Sequence, residues 1–440
     1  MVKKSSIKVG SVSKGKIKPM HSVGQPPILG WDDFSMFHYL KEIGVKYSRL
    51  HDTGGPFGKG IYVDIPNLFR DFDANPYDPA SYDFAFTDRL LQAMIDNDIE
   101  PYFRLGVTIE NECQVKAYRI FPPKDNLQWA RICEGVIRHY TQGWANGFHW
   151  NITHWEIWNE PENMPDPLEN HMWRGTFEQY LDLYETASKH LKKLFPNLMI
   201  GGYASCGLYA VTRSIGYELY PAAKARFDFL LKSFLDFVAF VKKNKCPLDF
   251  FSFHFYDVAK NARKQIEFIR KTLDDAGLQK TEMSLNEWMM PGIGECGNME
   301  QAANIAAMIV EMQQLPVDDA EIYDARCGMG AYSPLFNPIT HKPRKAYYCL
   351  KAFNELYKLG NDVPVTGLPD GMYAAAAQNK SRRAVMLVNI SKKEILFELD
   401  LGVKKGTVKC FCVNEEHDLD EIPMPSVIAD NDVLLVVGDR

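Results

Sequence analysis

Short apolar runs alternate with longer amphipathic stretches along the chain from about residue 20 to residue 360. The short runs are rich in β-branched and aromatic residues, which is typical of strands, and the longer stretches have helical spacing of their apolar positions. Strands are predicted at Pro19–Val23, Val45–Leu50, Ile99–Leu105, Thr153–Trp158, Leu198–Tyr203, Leu248–His254, Thr281–Glu287 and Ala320–Ala325. Helices are predicted at Phe34–Ile43, Ala85–Asn97, Leu127–Tyr140, Phe177–Leu194, Asp228–Lys243, Asn261–Asp275, Gln301–Gln314 and Arg344–Tyr357.

This alternation of strand and helix is the pattern of an α/β fold with parallel strands. Eight strand–helix units are the number that closes a barrel, so the sequence predicts a (β/α)₈ TIM barrel. An open, doubly wound sheet would show the same alternation and stays an alternative. It is disfavoured because no glycine-rich nucleotide-binding sequence lies at a first strand–helix turn.

After about residue 360 the strand-like runs continue without helical stretches between them, and turn residues separate them. These runs are Ala384–Asn389, Glu394–Leu401, Thr407–Val413 and Val433–Val437. They predict a small β-sandwich, to which the N-terminal segment Ile7–Ile17 is expected to add a strand. The predicted division is residues 1–18 for the strand segment that joins the β domain, 19–360 for the barrel and 361–440 for the C-terminal β-sandwich.

Composition and charge exclude several classes of protein. Hydrophobic residues make up 46% of the 440 residues and charged ones 24%, so wholesale disorder is excluded. Fifty basic against 56 acidic residues leave a net charge of −6, so no nucleic acid is expected as a partner. The sequence has no apolar run of membrane-spanning length and no signal peptide at its start, as expected of a cytoplasmic chain or of one already processed.

The cysteines do not indicate a metal or a disulfide framework. Nine of them are scattered along the chain and no two form a Cys-x-x-Cys pair. We therefore expect reduced thiols, no metal and no cofactor. Oligomeric state is not encoded in any pattern of the sequence, and a homo-oligomer stays open.

The first candidate for chemistry is the segment His154–Asn163, in which a predicted strand ends in Asn-Glu-Pro. Alternating faces of the strand put Glu156, Trp158 and Glu160 on one side. Glu160 would then point toward the barrel axis at its C-terminal mouth, where barrel enzymes hold their active sites. A carboxylate at the end of a strand is more often a solvated loop residue or a helix cap.

A second carboxylate, Glu287, closes the predicted strand Thr281–Glu287. It converges with Glu160 only if the sheet closes, so the barrel and the site depend on each other. Paired carboxyl groups at roughly 5–5.5 Å indicate a retaining glycosidase and at roughly 6.5–9.5 Å an inverting one. The sequence does not give the distance between the carboxyl groups of Glu160 and Glu287, so both mechanisms stay open.

Two further strands carry polar side chains toward the same mouth. Phe251, Phe253 and Phe255 form an apolar face that is expected to pack on helices, and His254 and Tyr256 lie on the opposite face. Arg49 and His51 share a face of the second predicted strand, and an inward arginine would keep a neighbouring carboxylate ionised. An ordinary structural ion pair would produce the same spacing.

Together these segments resemble glycoside hydrolase family 39, which holds β-xylosidases and α-L-iduronidases among the retaining (β/α)₈-barrel glycosidases. The resemblance extends over about residues 20–360 and is carried by four segments in the same order: Arg49–His51, Trp155–Pro161, Ser252–Tyr256 and Asn286–Trp288. The small C-terminal β domain also suits the family, whose members carry a β-sandwich beside the barrel.

The resemblance implies a role for each matching residue. Glu160 would be the general acid/base, Glu287 the nucleophile, and Asn159 would bond the sugar 2-hydroxyl. The remaining implied contacts are Tyr256 and Arg49 at the nucleophile and His254 and His51 at sugar hydroxyls. A general acid with no charged partner, beside Trp158, is expected to keep a raised pKa, and a nucleophile bonded to Arg49 and Tyr256 is expected to stay charged.

The chain departs from the family at the eighth strand, where many relatives place a tryptophan that carries the sugar. Tyr323, Trp288 or a loop aromatic would have to serve instead. An iduronide would also need a cation for its carboxylate, and Arg326 and Lys59 are candidates.

The sequence thus predicts a retaining, exo-acting glycoside hydrolase that acts on an oligosaccharide or glycoside, by double displacement and most similar to a β-xylosidase. A β-glucosidase, β-galactosidase, arabinofuranosidase or α-L-iduronidase of the same clan is an alternative. A barrel that binds carbohydrate but has lost catalysis is another.

Overall fold

The computed structural model describes residues 4–27, 35–50, 63–107, 120–214, 216–328, 330–404 and 406–440. The strands are β1 (Ser5–Val9), β2 (Gly15–Lys16), β3 (Ser22–Gly24), β4 (Tyr47–Leu50), β5 (Glu100–Leu105), β6 (His154–Ile157), β7 (Met199–Ser205), β8 (Phe250–Phe255), β9 (Glu282–Trp288), β10 (Asp319–Ile322), β11 (Asn361–Val363), β12 (Val365–Thr366), β13 (Met372–Gln378), β14 (Arg382–Asn389), β15 (Ile395–Asp400), β16 (Lys409–Val413), β17 (Asp418–Ile422), β18 (Val427–Ile428) and β19 (Val433–Asp439).

The α-helices of the described residues are α1 (Phe37–Glu42), α2 (Ile65–Leu68), α3 (Ala85–Ile95), α4 (Asn126–Gln142), α5 (Phe177–Leu194), α6 (Tyr209–Thr212), α7 (Pro221–Asn244), α8 (Ala259–Asp275), α9 (Met299–Gln313) and α10 (Lys345–Leu359). Short 3₁₀ turns lie at Pro79–Ser81 and Trp144–Asn146. None of the described helices combines the length and the apolar character needed to cross a membrane.

Strands β3 to β10 close into a barrel in chain order, with β10 pairing in parallel with both β9 and β3. The predicted TIM barrel is therefore confirmed. Gly201 makes the closure possible between β7 and β8, because a Cβ there would lie 2.2 Å from the carbonyl oxygen of Phe250. The predicted apolar face of β8 packs outward, with Phe251 against Phe234 and Phe237 of α7.

Two further sheets form the predicted β-sandwich. One has the strand order β12-β1-β15-β18, and the other has the order β17-β16-β19-β14-β13-β11-β2. The N-terminal strands thus belong to these sheets, with β1 parallel to β15 and β2 antiparallel to β11. The domain limits at residues 18 and 360 stay predictions.

The central strands of the seven-stranded sheet are buried on both faces. Alternate residues of β13 divide between two cores, since Ala375 and Ala377 join the barrel core and Ala374 and Ala376 join the core between the sheets. Helices α9 and α10 pack on the barrel side of β13 and β14. The barrel and the sandwich therefore share one continuous layered structure.

Candidate active site

The first carboxylate is positioned by an abrupt change of backbone direction at the end of β6. The strand ends at Ile157, and Trp158 and Glu160 have φ of +74° and +44°, a region that costs a non-glycine residue about 1–3 kcal/mol. The amide of Glu160 donates to the carbonyl oxygen of Ala204 on β7 at 3.1 Å. This bond holds the strained turn, so the side chain of Glu160 projects into the mouth of the barrel.

The expectation that Trp158 shares a face with Glu156 and Glu160 is wrong, because strand alternation stops one residue earlier. Trp158 instead packs among helix and loop side chains, with its ring 4.9 Å from Trp173, and its Nε1 donates to the carbonyl oxygen of Met172 at 3.0 Å. The indole therefore supports the loop that carries Glu160.

The structure brings Glu160 and Glu287 together across one histidine. Nδ1 of His254 lies 2.7 Å from Oε1 of Glu160, and Nε2 lies 3.5 Å from Oε2 of Glu287. One carboxylate oxygen of each glutamate and a ring nitrogen of the histidine all lie within 4.8 Å of one another. Two acids that are remote in sequence therefore meet in one pocket, as the closed barrel requires.

The two oxygens of Glu287 have different donors. The hydroxyl of Tyr256 donates to Oε1, and Nη1 of Arg49 donates to Oε2 at 3.1 Å. The side chain of Glu160 accepts from Nδ2 of Asn163 at 2.8 Å in addition to its contact with His254. The expectation that Glu160 has no charged partner is therefore wrong, whereas Arg49 and Tyr256 lie where they were expected.

Arg49 is anchored below this pair by a third buried carboxylate, Glu156, for which the sequence indicated no role. Its Nε and Nη2 lie 2.8 and 2.7 Å from Oε2 of Glu156, and Nη2 also donates to Oδ1 of Asn159 at 2.6 Å. Asn286 donates to the other oxygen of Glu156. The guanidinium is thus fixed in one orientation, with Nη1 left for Glu287.

The charges around Glu160 oppose the protonation that was expected for this residue. Burial would raise the pKa of Glu160, but the hydrogen bond and charge of His254 and the charge of Arg226 lower it below its ordinary value. Burial raises the pKa of Glu287 in spite of His254 and Arg49. Burial would lower the pKa of His254, and the charges of Glu287 and Glu160 raise it instead. These shifts favour a proton on His254 over one on Glu160.

Glu162 is a second functional candidate that sequence reasoning missed, although it lies within the motif. It is fully buried, and its Oε1 accepts from Oγ of Ser205 at 2.9 Å and from the amide of Cys206 at 2.8 Å. Its Oε2 has no hydrogen-bond partner among the described residues. Burial, with the charge of Glu160 adding to it, raises the pKa of Glu162 to about 7.

The predicted sugar contacts are only partly open to a ligand. His254 and Trp288 are 0% exposed, and Tyr323 is 4% exposed. The exposed ring is Tyr332, at 40%, which meets Tyr256 and Tyr323 edge-on with centroids 5.7 and 5.8 Å apart. Tyr332 lies on the loop after β10, so its position beside Tyr256 could not be predicted from a strand pattern.

The remaining candidates are bound elsewhere or lie outside the described residues. Nε and Nη2 of Arg326 contact one carboxylate oxygen of Asp324 at 2.9 and 2.7 Å, so its charge is already paired. Nδ2 of Asn159 faces Sδ of Met172 at 3.9 Å. His51 and Lys59 lie outside the described residues.

The cluster of Glu160, His254 and Glu287 has the donor types of a metal site, but most of its ligand atoms already have protein hydrogen-bond partners, Nε2 of His254 being the exception among the described residues. Both oxygens of Glu287 accept from protein donors, and Nδ1 of His254 is committed to Glu160. The arrangement therefore suits two carboxyl groups that exchange protons and bonds with a ligand.

A family model described as "Glycosyl hydrolases family 39" matches residues 29–359, about three quarters of the chain. The chain belongs to this family. Residues 29–359 of this family 39 chain include every segment that carried the resemblance.

Two relatives are both named beta-xylosidase. The chain is 24% identical to the one from Geobacillus stearothermophilus over 242 residues, which are 53% of this chain and 41% of that protein. It is 25% identical to the one from Caldicellulosiruptor saccharolyticus over 236 residues, 51% of this chain and 40% of that protein. The match therefore spans less than half the length of either relative.

The fold also has counterparts among solved structures. A glucosidase from Croceicoccus marinus superimposes with a TM-score of 0.76 at 18% identity, and the match covers 99% of both chains. The similarity therefore includes the sandwich as well as the barrel.

Proposed function

We propose that this family 39 chain is a retaining, exo-acting glycoside hydrolase that cleaves a β-xyloside or a similar glycoside by double displacement. One observation carries the proposal: carboxylate oxygens of Glu160 and Glu287 lie within 4.8 Å of each other. Retaining enzymes hold their two carboxyl groups at about 5–5.5 Å, whereas inverting enzymes need about 6.5–9.5 Å to admit a water molecule.

In the first step, a carboxylate oxygen of Glu287 attacks the anomeric carbon while the bond to the leaving oxygen breaks. Glu160 gives its proton to that oxygen. In the second step, Glu160 takes a proton from water, the water oxygen attacks the anomeric carbon, and the ester bond to Glu287 breaks. Arg49 and Tyr256 orient the nucleophile and stabilise its charge as it leaves.

The proton for the first step comes from His254. Its Nδ1 lies 2.7 Å from Oε1 of Glu160, within reach of direct transfer. When a glycoside displaces water and its leaving oxygen approaches Glu160, the proton moves from the imidazole to the carboxylate. His254 thus holds the proton that the acid needs and does not contact the sugar.

The substrate class rests on the relatives and on the residues at the mouth. The two bacterial relatives described above are beta-xylosidases, which supports a β-xyloside as the substrate. Asn159 follows β6 directly before Glu160, and Arg49 holds its Oδ1 while its amide nitrogen has only a long contact, 3.9 Å, with Sδ of Met172, so this nitrogen is the group that would turn to a sugar 2-hydroxyl. The exposed ring of Tyr332 offers a flat apolar surface for a sugar.

Proton NMR of the hydrolysis of an aryl β-xyloside tests the stereochemistry. Retention releases β-xylose first, and the α-anomer appears only as the product equilibrates. Early α-xylose would contradict the proposal, as would the absence of turnover with aryl xylosides, glucosides, galactosides and arabinosides alike.

Variants test the two roles separately. Glu287→Ala is expected to lower kcat/KM by about ten-thousandfold for every leaving group, because the covalent step is lost. Glu160→Ala is expected to retain more activity on aryl glycosides with weakly basic leaving groups, which depart without protonation. Glu295→Gln, an exposed carboxylate on the loop after the same strand as Glu287, is the matched control and should have wild-type rates.

A further inference from the structure

A second cluster of metal-binding side chains lies at the end of the barrel opposite the two catalytic glutamates. It consists of His154, Glu282 and Asp319, which are the first residues of β6, β9 and β10. The barrel strands are parallel, so their starts meet at one end of the barrel. One ligand atom from each of the three residues lies within 4.8 Å of the other two.

The imidazole ring of His154 is held in one orientation by aromatic neighbours. It stacks on Tyr102 with centroids 4.9 Å apart and planes at 16°, and the ring of Tyr47 meets it edge-on at 5.3 Å. Phe250 contacts it from a third side at 5.4 Å. The residue is 5% exposed, so its ring nitrogens point in fixed directions.

The hydrogen bonds around His154 determine which nitrogen carries the proton. The hydroxyl of Thr153 donates its single proton to Oε1 of Glu100, which also accepts the amide of Thr153 at 2.8 Å. The hydroxyl oxygen must then accept from Nδ1 of His154, which lies 2.8 Å away. In the neutral ring, Nε2 therefore carries a lone pair.

That lone pair is directed at the carboxylates. Nε2 of His154 is buried and has no hydrogen-bond partner among the described residues, and the nearest oxygen of Glu282 is 3.6 Å away. Asp319 is 3% exposed and accepts from Oγ of Ser284 through Oδ1. Nitrogen and oxygen lone pairs that face one another at this distance need a proton or a cation between them.

A further buried carboxyl group lies close to this cluster along β10. Glu321 follows Asp319 by two residues, is 0% exposed, and neither of its carboxyl oxygens has a hydrogen-bond partner among the described residues. The ammonium group of Lys18 donates to the carbonyl oxygen of Leu315, 2.6 Å away. It interacts with the charge of Asp318 more strongly than with that of Asp319. A cation at the three-residue cluster would offset the charges of Glu282 and Asp319.

We propose that His154, Glu282 and Asp319 bind a divalent transition-metal ion of the Zn²⁺ type. One imidazole and two carboxylates are a ligand set that suits Zn²⁺, with a water molecule in the fourth position. The chain Glu100–Thr153–His154 is the outer hydrogen-bond network that such a histidine requires. The side chain of Glu282 is 43% exposed, so the ion has an entry path from solvent. The ion would tie three barrel strands together.

Titration of the metal-free full-length protein with Co²⁺ tests the site, because cobalt in a four-coordinate nitrogen–oxygen site absorbs visible light. We expect one Co²⁺ per chain with that absorption, displaced by Zn²⁺. Glu282→Gln and His154→Gln are each expected to weaken binding by more than about tenfold. Glu282 lies at the rim, so its variant keeps the test valid if His154→Gln does not fold. Glu267→Gln, an exposed carboxylate on α8, is the matched control.

A second variant separates this site from the catalytic cluster, which also groups a histidine with two glutamates. Binding at the proposed site must survive in Glu287→Gln with unchanged stoichiometry and absorption. The proposal is overturned if the wild-type protein binds no Co²⁺ at micromolar concentrations. It is equally overturned if binding is lost in Glu287→Gln but kept in Glu282→Gln, because the ion would then lie between the catalytic residues.

Discussion

At the scale of single residues, His254 couples the two carboxylates of the site. One ring nitrogen contacts Glu160 and the other faces Glu287, and no part of the ring is exposed. Any change in the charge of this ring therefore alters both carboxyl groups. In the proposed mechanism, the histidine supplies the proton for the leaving group, and its charge lowers the pKa of the nucleophile Glu287.

Replacement of this histidine by glutamine should shift the pH profile of activity. Glu287 attacks only when ionised, so activity rises as the pH increases through its pKa. His254 lowers that pKa, so its loss should move the acid limb of kcat/KM to higher pH. Kinetics with an aryl β-xyloside across the pH range measure the limb. His190→Gln is the control, because this histidine of α5 contacts Glu134 and should leave the acid limb where it is in the wild type. An acid limb that does not move in His254→Gln would refute the coupling.

The buried carboxyl group of Glu162 should make stability depend on pH. The pKa of Glu162 is raised to about 7 in the folded protein. The folded protein therefore keeps this proton at pH values at which the unfolded chain, with the ordinary pKa of a glutamate, has released it. Stability from this group is present at low pH and is lost as the pH rises toward and through 7. Glu162→Gln cannot ionise and should be more stable than the wild type by up to about 3 kcal/mol at about pH 8, with no such advantage at about pH 5.

Urea unfolding at both pH values measures that difference. Glu169→Gln, an exposed carboxylate on the same loop, is the control and should show no pH-dependent change. Equal stability differences for Glu162→Gln at the two pH values would show that the group is ionised at both.

The sequence predicted those site residues that lie at the end of a strand. Glu160, Glu287, Arg49 and Tyr256 each lie at or near the end of a strand in a recognisable segment, so their convergence follows from barrel closure. The protonation of the site did not follow, because it depends on which groups meet. The contact between His254 and Glu160 reverses the pKa shift expected from burial alone.

At the scale of elements, the loop that carries Glu160 ends in a well-formed helix start. The side chain of Thr176 accepts from the amide of Gln179 at 3.3 Å, and the side chain of Gln179 accepts from the amide of Thr176 at 2.9 Å. This capping box begins α5 at Phe177, as the sequence predicts. The helix thereby fixes the far end of the loop between β6 and α5.

Loss of the cap should destabilise the fold modestly. Thr176→Ala removes an acceptor for the helix amides, so we expect the free energy of unfolding to fall by about 1 kcal/mol. Thermal or urea unfolding measures the change. Thr186→Ala in the middle of the same helix is the control and should not destabilise, because alanine has the higher helix propensity. Equal effects of both variants would contradict the role of the cap.

Some strands and helix ends were not predicted because their residues carry only weak local signals. Strand β13 was missed because its central residues are alanines, which are poor strand formers, and both of its faces are buried, so no polar–apolar alternation appears. Helix α7 begins at Pro221, ahead of the predicted start at Asp228, because its first two turns are mostly exposed and lack an apolar period. In both elements, tertiary packing supplied what the local pattern lacked.

At the scale of the whole molecule, the two ends of the chain are joined in the β-sandwich. Strand β1 pairs in parallel with β15 and antiparallel with β12, and Ile7 of β1 is fully buried between the sheets. The sequence predicted this added strand. It could not give the pairing partners, because strand order in a sheet depends on long-range contacts rather than on local patterns.

A cavity at this junction should be costly. Ile7→Ala removes buried methyl groups from the core between the sheets and is expected to lower the free energy of unfolding by about 2–5 kcal/mol. Chemical unfolding measures the loss. Lys8→Ala, the next residue on the exposed face of the same strand, should have little effect. Two variants of equal stability would show that β1 is not needed to complete the sandwich.

The most direct test of the central claim is mass spectrometry of the protein after incubation with an activated 2-deoxy-2-fluoro-β-xyloside, which slows release of the covalent intermediate. The account predicts a mass increase of one fluoroxylosyl group per chain, on the peptide that contains Glu287. Glu287→Gln should acquire no label, and Glu295→Gln should label as the wild type does. A label on Glu160, or a protein that turns over xylosides but never carries the sugar covalently, would contradict it.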